Sequence, residues 1–187
     1  MKYLKRFNES VIGSPLLKLS NNIDIDMMSI IESKIPYGRN ILEISCGNGS
    51  DALYLKEKGY GVVCTEINPE YCQNAISHGV DCIQHDTKDK FPFEDKQFDL
   101  VYSRLGLHYF EEEDLINIFM EISRITNYLL FSVKLTNNIQ TGKIIFTSDI
   151  YQNLVENDFK IESSQIKNGS LYGIQSKWME ILAKSKH

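Results

Sequence analysis

No uninterrupted apolar run in the 187 residues approaches the ~20 needed for a membrane-spanning helix, so a membrane protein of the helical kind is excluded. The start, Met1-Lys2-Tyr3-Leu4-Lys5-Arg6-Phe7, is basic but has no apolar stretch behind it. A secretory signal is therefore not expected, and a cytoplasmic location follows. Basic charge is in deficit, with 20 Lys and Arg against 25 Asp and Glu, and a net charge of −5 argues against general affinity for nucleic-acid phosphates. The four cysteines, Cys46, Cys64, Cys72 and Cys82, have neither Cys-x-x-Cys nor Cys/His spacing of the zinc type, so buried free thiols are expected and no metal. Internal repeats and low-complexity segments are absent as well. The length leaves no room for a second full domain, and 42% apolar with 24% charged residues is the balance of a soluble globular chain.

What is present is concentrated in one stretch, Ile41-Leu42-Glu43-Ile44-Ser45-Cys46-Gly47-Asn48-Gly49-Ser50, an apolar run joined to a small-residue turn through one carboxylate. A second apolar run, Val62-Val63-Cys64-Thr65-Glu66, also ends in an acid. Two strand-end acids flanking a Gly-rich turn describe a nucleotide-like ligand at the carboxyl edge of a parallel sheet. In a dinucleotide site the turn and the next helix N-terminus cradle a pyrophosphate, which Glu43 would repel. A ligand positively charged at that end suits the turn better, and S-adenosylmethionine, with its sulfonium and amino group, is such a ligand. A nicotinamide-dependent dehydrogenase shares the ribose acid but must explain Glu43 and the lack of a Gly-x-Gly-x-x-Gly turn.

The run Glu43-Ile44-Ser45-Cys46-Gly47-Asn48-Gly49 resembles the first motif of the class I S-adenosylmethionine-dependent methyltransferases, with Ser45 in place of the first glycine. The resemblance continues through Glu66, Gln84-His85-Asp86-Thr87 and the run from Phe98 to Phe110, over roughly residues 38 to 135. That last run, followed by Ser132-Val133-Lys134, looks most like the small bacterial tellurite-resistance-type methyltransferases. It implies an α/β fold, a Rossmann-like seven-stranded mostly parallel sheet in the order 3-2-1-4-5-7-6 with a C-terminal antiparallel hairpin. It also implies a cofactor site of Glu43, Ser45, Gly47, Gly49, Glu66, Ile67, Asp86, Thr87 and Ser103. There Glu66 takes the ribose, Asn68 or Ile67 lines the adenine side with Ile67 as an apolar wall, and Asp86 with Thr87 meets the adenine edge. The substrate side falls to Arg104, His108 and Tyr109, with His108 and Tyr109 the catalytic candidates, since a neutral imidazole can accept a proton from an acceptor. Arg104 either points to solvent or binds an anionic substrate. The expected activity is transfer of a methyl group from S-adenosylmethionine, leaving S-adenosylhomocysteine, to a small molecule rather than to nucleic acid. The alternative is a noncatalytic S-adenosylmethionine-binding partner or regulatory protein. Nothing in the sequence fixes an oligomeric state.

Apolar spacing and punctuation place the elements. Residues 1–37 form an arm and a helix from Asp24 to Lys34, and residues 38–187 the methyltransferase-like domain. Ser50 is a candidate N-cap for a helix stopped by Gly59; Pro69 opens a helix ended by Gly79; residues 86–95 are a loop. A long amphipathic helix over 111–126 leads into a strand over 128–134. Ser148 to Asn157 reads as a helix, and two final strands are expected on either side of Asn168-Gly169. Tyr151, Tyr172 and Trp178 are candidates to shape a pocket, with the hairpin core the preferred home for Trp178. The segment after the fifth strand is short, so the pocket is either open or covered by residues 1–22.

Overall fold

The computed structural model describes residues 23–135, 146–171 and 174–187. Helix α1 (Ile25–Lys34) begins at Asp24, whose carboxylate accepts the Met27 N–H, and buries Met27, Met28 and Ile31. Then follow β1 (Asn40–Ile44), α2 (Ser50–Glu57), β2 (Gly61–Glu66), α3 (Pro69–Ser77), β3 (Asp81–Gln84) and β4 (Phe98–Arg104). A short 3₁₀ turn, Leu107–Tyr109, separates β4 from α4 (Glu112–Ile125), which is followed by β5 (Thr126–Leu135), α5 (Ser148–Asp158), β6 (Phe159–Leu171) and β7 (Ile174–Ser185).

The seven strands form one sheet in the order β3-β2-β1-β4-β5-β7-β6. All pairings from β3 to β5 are parallel, and β7 runs antiparallel to both β5 and β6. Successive strand residues point to opposite faces, so alternation divides the core into two layers. Leu42, Ile44, Val101, Leu129, Phe131 and Val133 pack under α4 and α5. Ile41, Val62, Cys64, Leu100, Tyr102 and Leu130 pack under α1, α2 and α3. The expected fold and strand order are those observed. The carboxyl ends of β1 and β4 lie side by side where the strand order reverses, which is where a crevice opens in a doubly wound sheet.

Three local expectations are corrected. Gly49, in the left-handed region at φ 77°, is the N-cap of α2, and Ser50 is already its first residue. A side chain at 49 would meet the Ala75 methyl at 2.8 Å, so close packing of the turn on α3 takes the cap position from Ser50. Asn168-Gly169 is not the hairpin turn: Asn168 pairs with Lys177 and Gly169 with Ser176, within the strands. The glycine is there because the Trp178 ring lies across it, where a Cβ would come within 2.6 Å of the indole. Tyr151 lines no open cavity among the described residues; it is fully buried in the α5 layer, edge-on to Phe146. The arm at 1–22 and Tyr172 lie outside the described residues.

Helix α4 passes into β5 with no intervening turn, because Lys96 receives its end. Held in the left-handed region at φ 53°, Lys96 donates from Nζ to the carbonyls of Ser123 (2.8 Å) and Thr126 (2.9 Å) and to the Ser185 hydroxyl (2.8 Å). Beside it the Arg124 guanidinium donates to the carbonyls of Phe91 and Phe93, tying the loop after β3 to the same helix. Replacing Lys96 by Met keeps the aliphatic stem and removes all three donors. Lys96→Met should therefore destabilise the chain by about 1–3 kcal/mol, the usual consequence of stranding partly buried acceptors of a charged donor. An unmoved urea midpoint with an unchanged slope would show that Lys96 does not hold the junction.

Candidate functional site

The turn after β1 is built from backbone that ordinary residues avoid. Ser45 (φ 57°), Gly47 (φ 56°) and Gly49 (φ 77°) all sit in the left-handed region. For Ser45 that conformation costs roughly 1–2 kcal/mol, and its surroundings compensate. Its hydroxyl lies 3.5 Å from that of Thr87, and its Cβ occupies the space that a side chain on Gly106 would need, 2.7 Å from where that side chain would begin. Asn48 is held from the other side by the Asn74 amide at 2.7 Å. Around Gly47 nothing lies within 4 Å of a Cβ position, so that face of the turn is open.

Glu66 fastens this turn to the neighbouring strand. Its Oε2 accepts the Gly47 N–H at 2.8 Å and its Oε1 the Asn68 N–H at 2.9 Å. Burial raises its pKa above the ordinary carboxylate value, and these two N–H groups act against that rise. A carboxylate offers about four lone-pair positions, so acceptor capacity remains for a further donor. Asn68, which begins α3, accepts the N–H groups of Glu70 and Tyr71 as the N-cap and is not free to line a pocket with its oxygen.

Beneath the turn is a cavity of about 170 Å³ lined by Glu43, Ser45, Cys46, Asn48, Ser50, Asp51 and Arg104. Drug-sized pockets run from ~300 Å³ upward, so this one fits one end of a ligand. Sequence reasoning did not single out Asp51, yet it organises the cavity. Its carboxylate takes two bonds from the Arg104 guanidinium, one of them 3.0 Å from Nη2, and a third from the Tyr102 hydroxyl at 2.9 Å. The legible signal was an acid in the first turn of the helix that follows the glycines. Arg104 is partly exposed at the cavity and paired with the nearly buried Asp51, which offsets its charge. Burial opposes the charge on Arg104, but Asp51 and Tyr102 outweigh it and hold the pKa above its ordinary value.

Glu43 is left as the unmatched acid. It is only 3% exposed, and its Oε2 is buried without a hydrogen-bond partner. Burial, and then the Asp51 carboxylate, push its pKa well above the ordinary value. Two acids against one guanidinium favour a cationic group entering the cavity, the charge expected of a sulfonium or amino end.

The remaining predicted residues surround this centre unevenly. Ser103 is fully buried and its hydroxyl approaches Gly106, on the Ser45 side of the turn. Thr87 is nearly buried against Ser45. Asp86 accepts the Lys88 N–H at 3.0 Å, a turn-forming bond that occupies one of its oxygens. Ile67 follows Glu66, with its carbonyl 3.4 Å from the Gln84 amide. His108 and Tyr109 lie on the 3₁₀ turn beyond Gly106, their rings 4.3 Å apart, His108 partly buried and Tyr109 exposed. Leu105, at φ 56°, reverses the chain between β4 and this turn, and its N–H is held by the Ser132 carbonyl and hydroxyl.

Against known proteins, residues 41–128 match the family model described as a methyltransferase domain. A probable phthiotriol/phenolphthiotriol dimycocerosates methyltransferase 2 of Mycobacterium ulcerans is 35% identical over 77 residues, covering 38% of this chain and 30% of that protein. The chain thus spans about a third of the length of this curated relative. Among solved structures, TehB from Haemophilus influenzae superposes with a TM-score of 0.77 at 17% identity, covering 98% of this chain and 67% of that one. Magnesium protoporphyrin IX methyltransferase from Synechocystis, solved with bound S-adenosylmethionine, gives 0.66 at 14% identity over 87% of this chain and 77% of that one. These structures share the fold.

The raised pKa of Glu43 has a defined pH signature. A carboxyl group held higher in the folded than in the unfolded chain stabilises while protonated. Its contribution is complete below the ordinary range, near pH ~4.3, and is lost as pH climbs through the folded value. Gln mimics the neutral acid at every pH. Ligand-free Glu43→Gln should therefore melt with wild type in acid and progressively above it as pH rises from that range. Parallel melting curves across a pH series would mean that Glu43 is ionised without cost.

Proposed function

We propose that this chain, which carries a methyltransferase domain over residues 41–128, transfers a methyl group from S-adenosylmethionine to a small-molecule acceptor. The observation that carries the reading is the orphaned, buried oxygen of Glu43 in a cavity with one more acid than base. S-adenosylmethionine supplies an electrophilic methyl carbon on a sulfonium leaving group, displaced in line by the acceptor. The chain's work is positioning and exclusion of water. Glu43 offsets the ligand's positive end, and the open face of Gly47 admits its close approach. Glu66, with spare lone pairs, takes the ribose hydroxyls. Ile67 walls the adenine, Asp86 and Thr87 meet its edge, and Ser45 and Ser103 flank the amino-acid end.

The acceptor side is the 3₁₀ turn. Tyr109 offers an exposed ring and His108 an imidazole that can accept a proton from an incoming nucleophile. Arg104 lines the approach but, neutralised by Asp51, gives little help to an anionic acceptor. Among the described residues no helix is long and apolar enough to cross a membrane. All four cysteines are free thiols, which supports a reducing, cytoplasmic setting.

Calorimetry with S-adenosylhomocysteine tests the cofactor assignment. Saturable binding is expected, weakened by about 1–3 kcal/mol in Glu66→Gln, which leaves one acceptor where two are used. Nicotinamide dinucleotides should show no saturable binding. Absence of binding to the wild type ends the assignment, and an unaltered affinity in the variant removes Glu66 from the ribose.

His108 is tested by turnover. A panel of phenols, thiols, amines and oxyanions, read by S-adenosylhomocysteine release, identifies an acceptor. His108→Ala should then retain cofactor affinity and lose about 10²–10⁴-fold in rate if the imidazole takes the proton. Wild-type turnover in the variant would make His108 structural. Tight cofactor binding with no acceptor turned over would favour the noncatalytic binding protein.

A further inference from the structure

Sequence spacing gives no hint of a metal site, yet the sheet brings three thiols together at positions 46, 64 and 82. Cys64 and Cys82 are register partners on the adjacent parallel strands β2 and β3, so their side chains leave the same face. Cys46 comes from the turn after β1, which is clipped to β2 by its own N–H on the Thr65 carbonyl at 3.1 Å. The three Sγ atoms lie within 4.8 Å of one another, with Cys46 and Cys82 3.9 Å apart, and no disulfide joins them. A tetrahedral ion with metal–sulfur bonds of about 2.3 Å holds its sulfurs about 3.8 Å apart. The trio thus needs only small side-chain rotations to close on one ion.

We infer that Cys46, Cys64 and Cys82 form a binding site for one thiophilic d¹⁰ metal ion of the zinc and copper(I) class. Thiolate sulfur is the ligand such ions select, and three thiols give up their protons as the ion enters. Cys64 lies fully buried at the base, while Cys82 keeps partial exposure and provides the way in. The fourth position stays open to water or to the nearby Cys72 thiol on α3, which contacts Cys82. Hard, oxygen-seeking ions such as magnesium have no reason to bind here. Cys46 also lines the cavity next to Glu43, and Glu43 is the register neighbour of Cys64. The ion and the ligand cavity therefore share a wall, although the site does not depend on which ligand the cavity takes.

The full chain, reduced and kept without oxygen, is titrated with cadmium and followed by thiolate-to-metal absorption, with zinc as competitor. One equivalent should saturate the signal, and a large excess of zinc should lower the apparent cadmium affinity. Cys64→Ser should weaken binding by at least about 100-fold, beyond what changes outside the ligand shell usually cost, while Cys72→Ser leaves the stoichiometry at one. Because Cys64 is buried and its variant could fail to fold, the wild type is also alkylated with and without zinc and mapped by mass spectrometry. Joint protection of Cys46 and Cys82 by one equivalent supports the site. Absence of a saturable thiolate band, or alkylation of Cys46 and Cys82 unaffected by zinc, overturns it.

Discussion

The carboxyl edge of this sheet depends on one buried carboxylate. Glu66 ends β2, and by accepting the N–H of Gly47 with one oxygen and of Asn68 with the other it ties the glycine turn, β2 and the start of α3 to one point. Each of those N–H groups belongs to backbone that has no ladder partner there, so without Glu66 two donors at a half-open edge would be left to water. The same carboxylate retains acceptor capacity, which makes it at once the clasp of the turn and a group able to meet a ligand. Left-handed backbone at Ser45, Gly47 and Gly49 is affordable because that clasp and the packing of Gly49 on Ala75 leave the chain little alternative.

Electrostatics on the other side of the turn follow from pairing. Asp51 and Arg104 come from the helix after β1 and the end of β4, which adjoin only because the strand order reverses between those strands. Their ion pair is buried on the Asp51 side and bidentate, with Tyr102 as a third donor, so it fixes geometry more than it adds stability. Its further effect is to commit the Arg104 donors to Asp51, leaving the buried Glu43 Oε2 without a hydrogen-bond partner. Ser45 and Gly106 show a similar reciprocity in packing: the serine that stands where the family motif has glycine fits because a glycine on the facing loop makes room.

Much of this was legible in the sequence, for identifiable reasons. β2 and α3 begin and end where Gly61, Glu66, Pro69 and Gly79 mark them, since these residues act through local backbone geometry. Glu43 and Glu66 were legible because strand ends at one edge converge whatever the intervening helices do. Asp51 was not singled out, because an acid in a first helical turn is ordinary until a partner 53 residues away comes into contact. The thiol trio was hidden for a related reason: its members are far apart in the chain, and only the parallel register of β2 and β3 brings two of them together. The hairpin turn was misplaced because Asn-Gly is a strong local signal that the Trp178 ring overrides.

The terminal hairpin has its own geometry. β5 stays paired with β7 from Tyr128 opposite Lys184 to Leu135 opposite Lys177, and beyond that, among the described residues, β6 and β7 continue pairing with each other, from Gly169 opposite Ser176 to Leu171 opposite Ile174. The ribbon therefore runs three residue pairs past the last described residue of β5. Residues can be added to or removed from its tip without altering the register of any strand that carries Glu43, Glu66 or Arg104. The length of this ribbon and the register of the strands that hold the cavity are thus free to diverge at different rates.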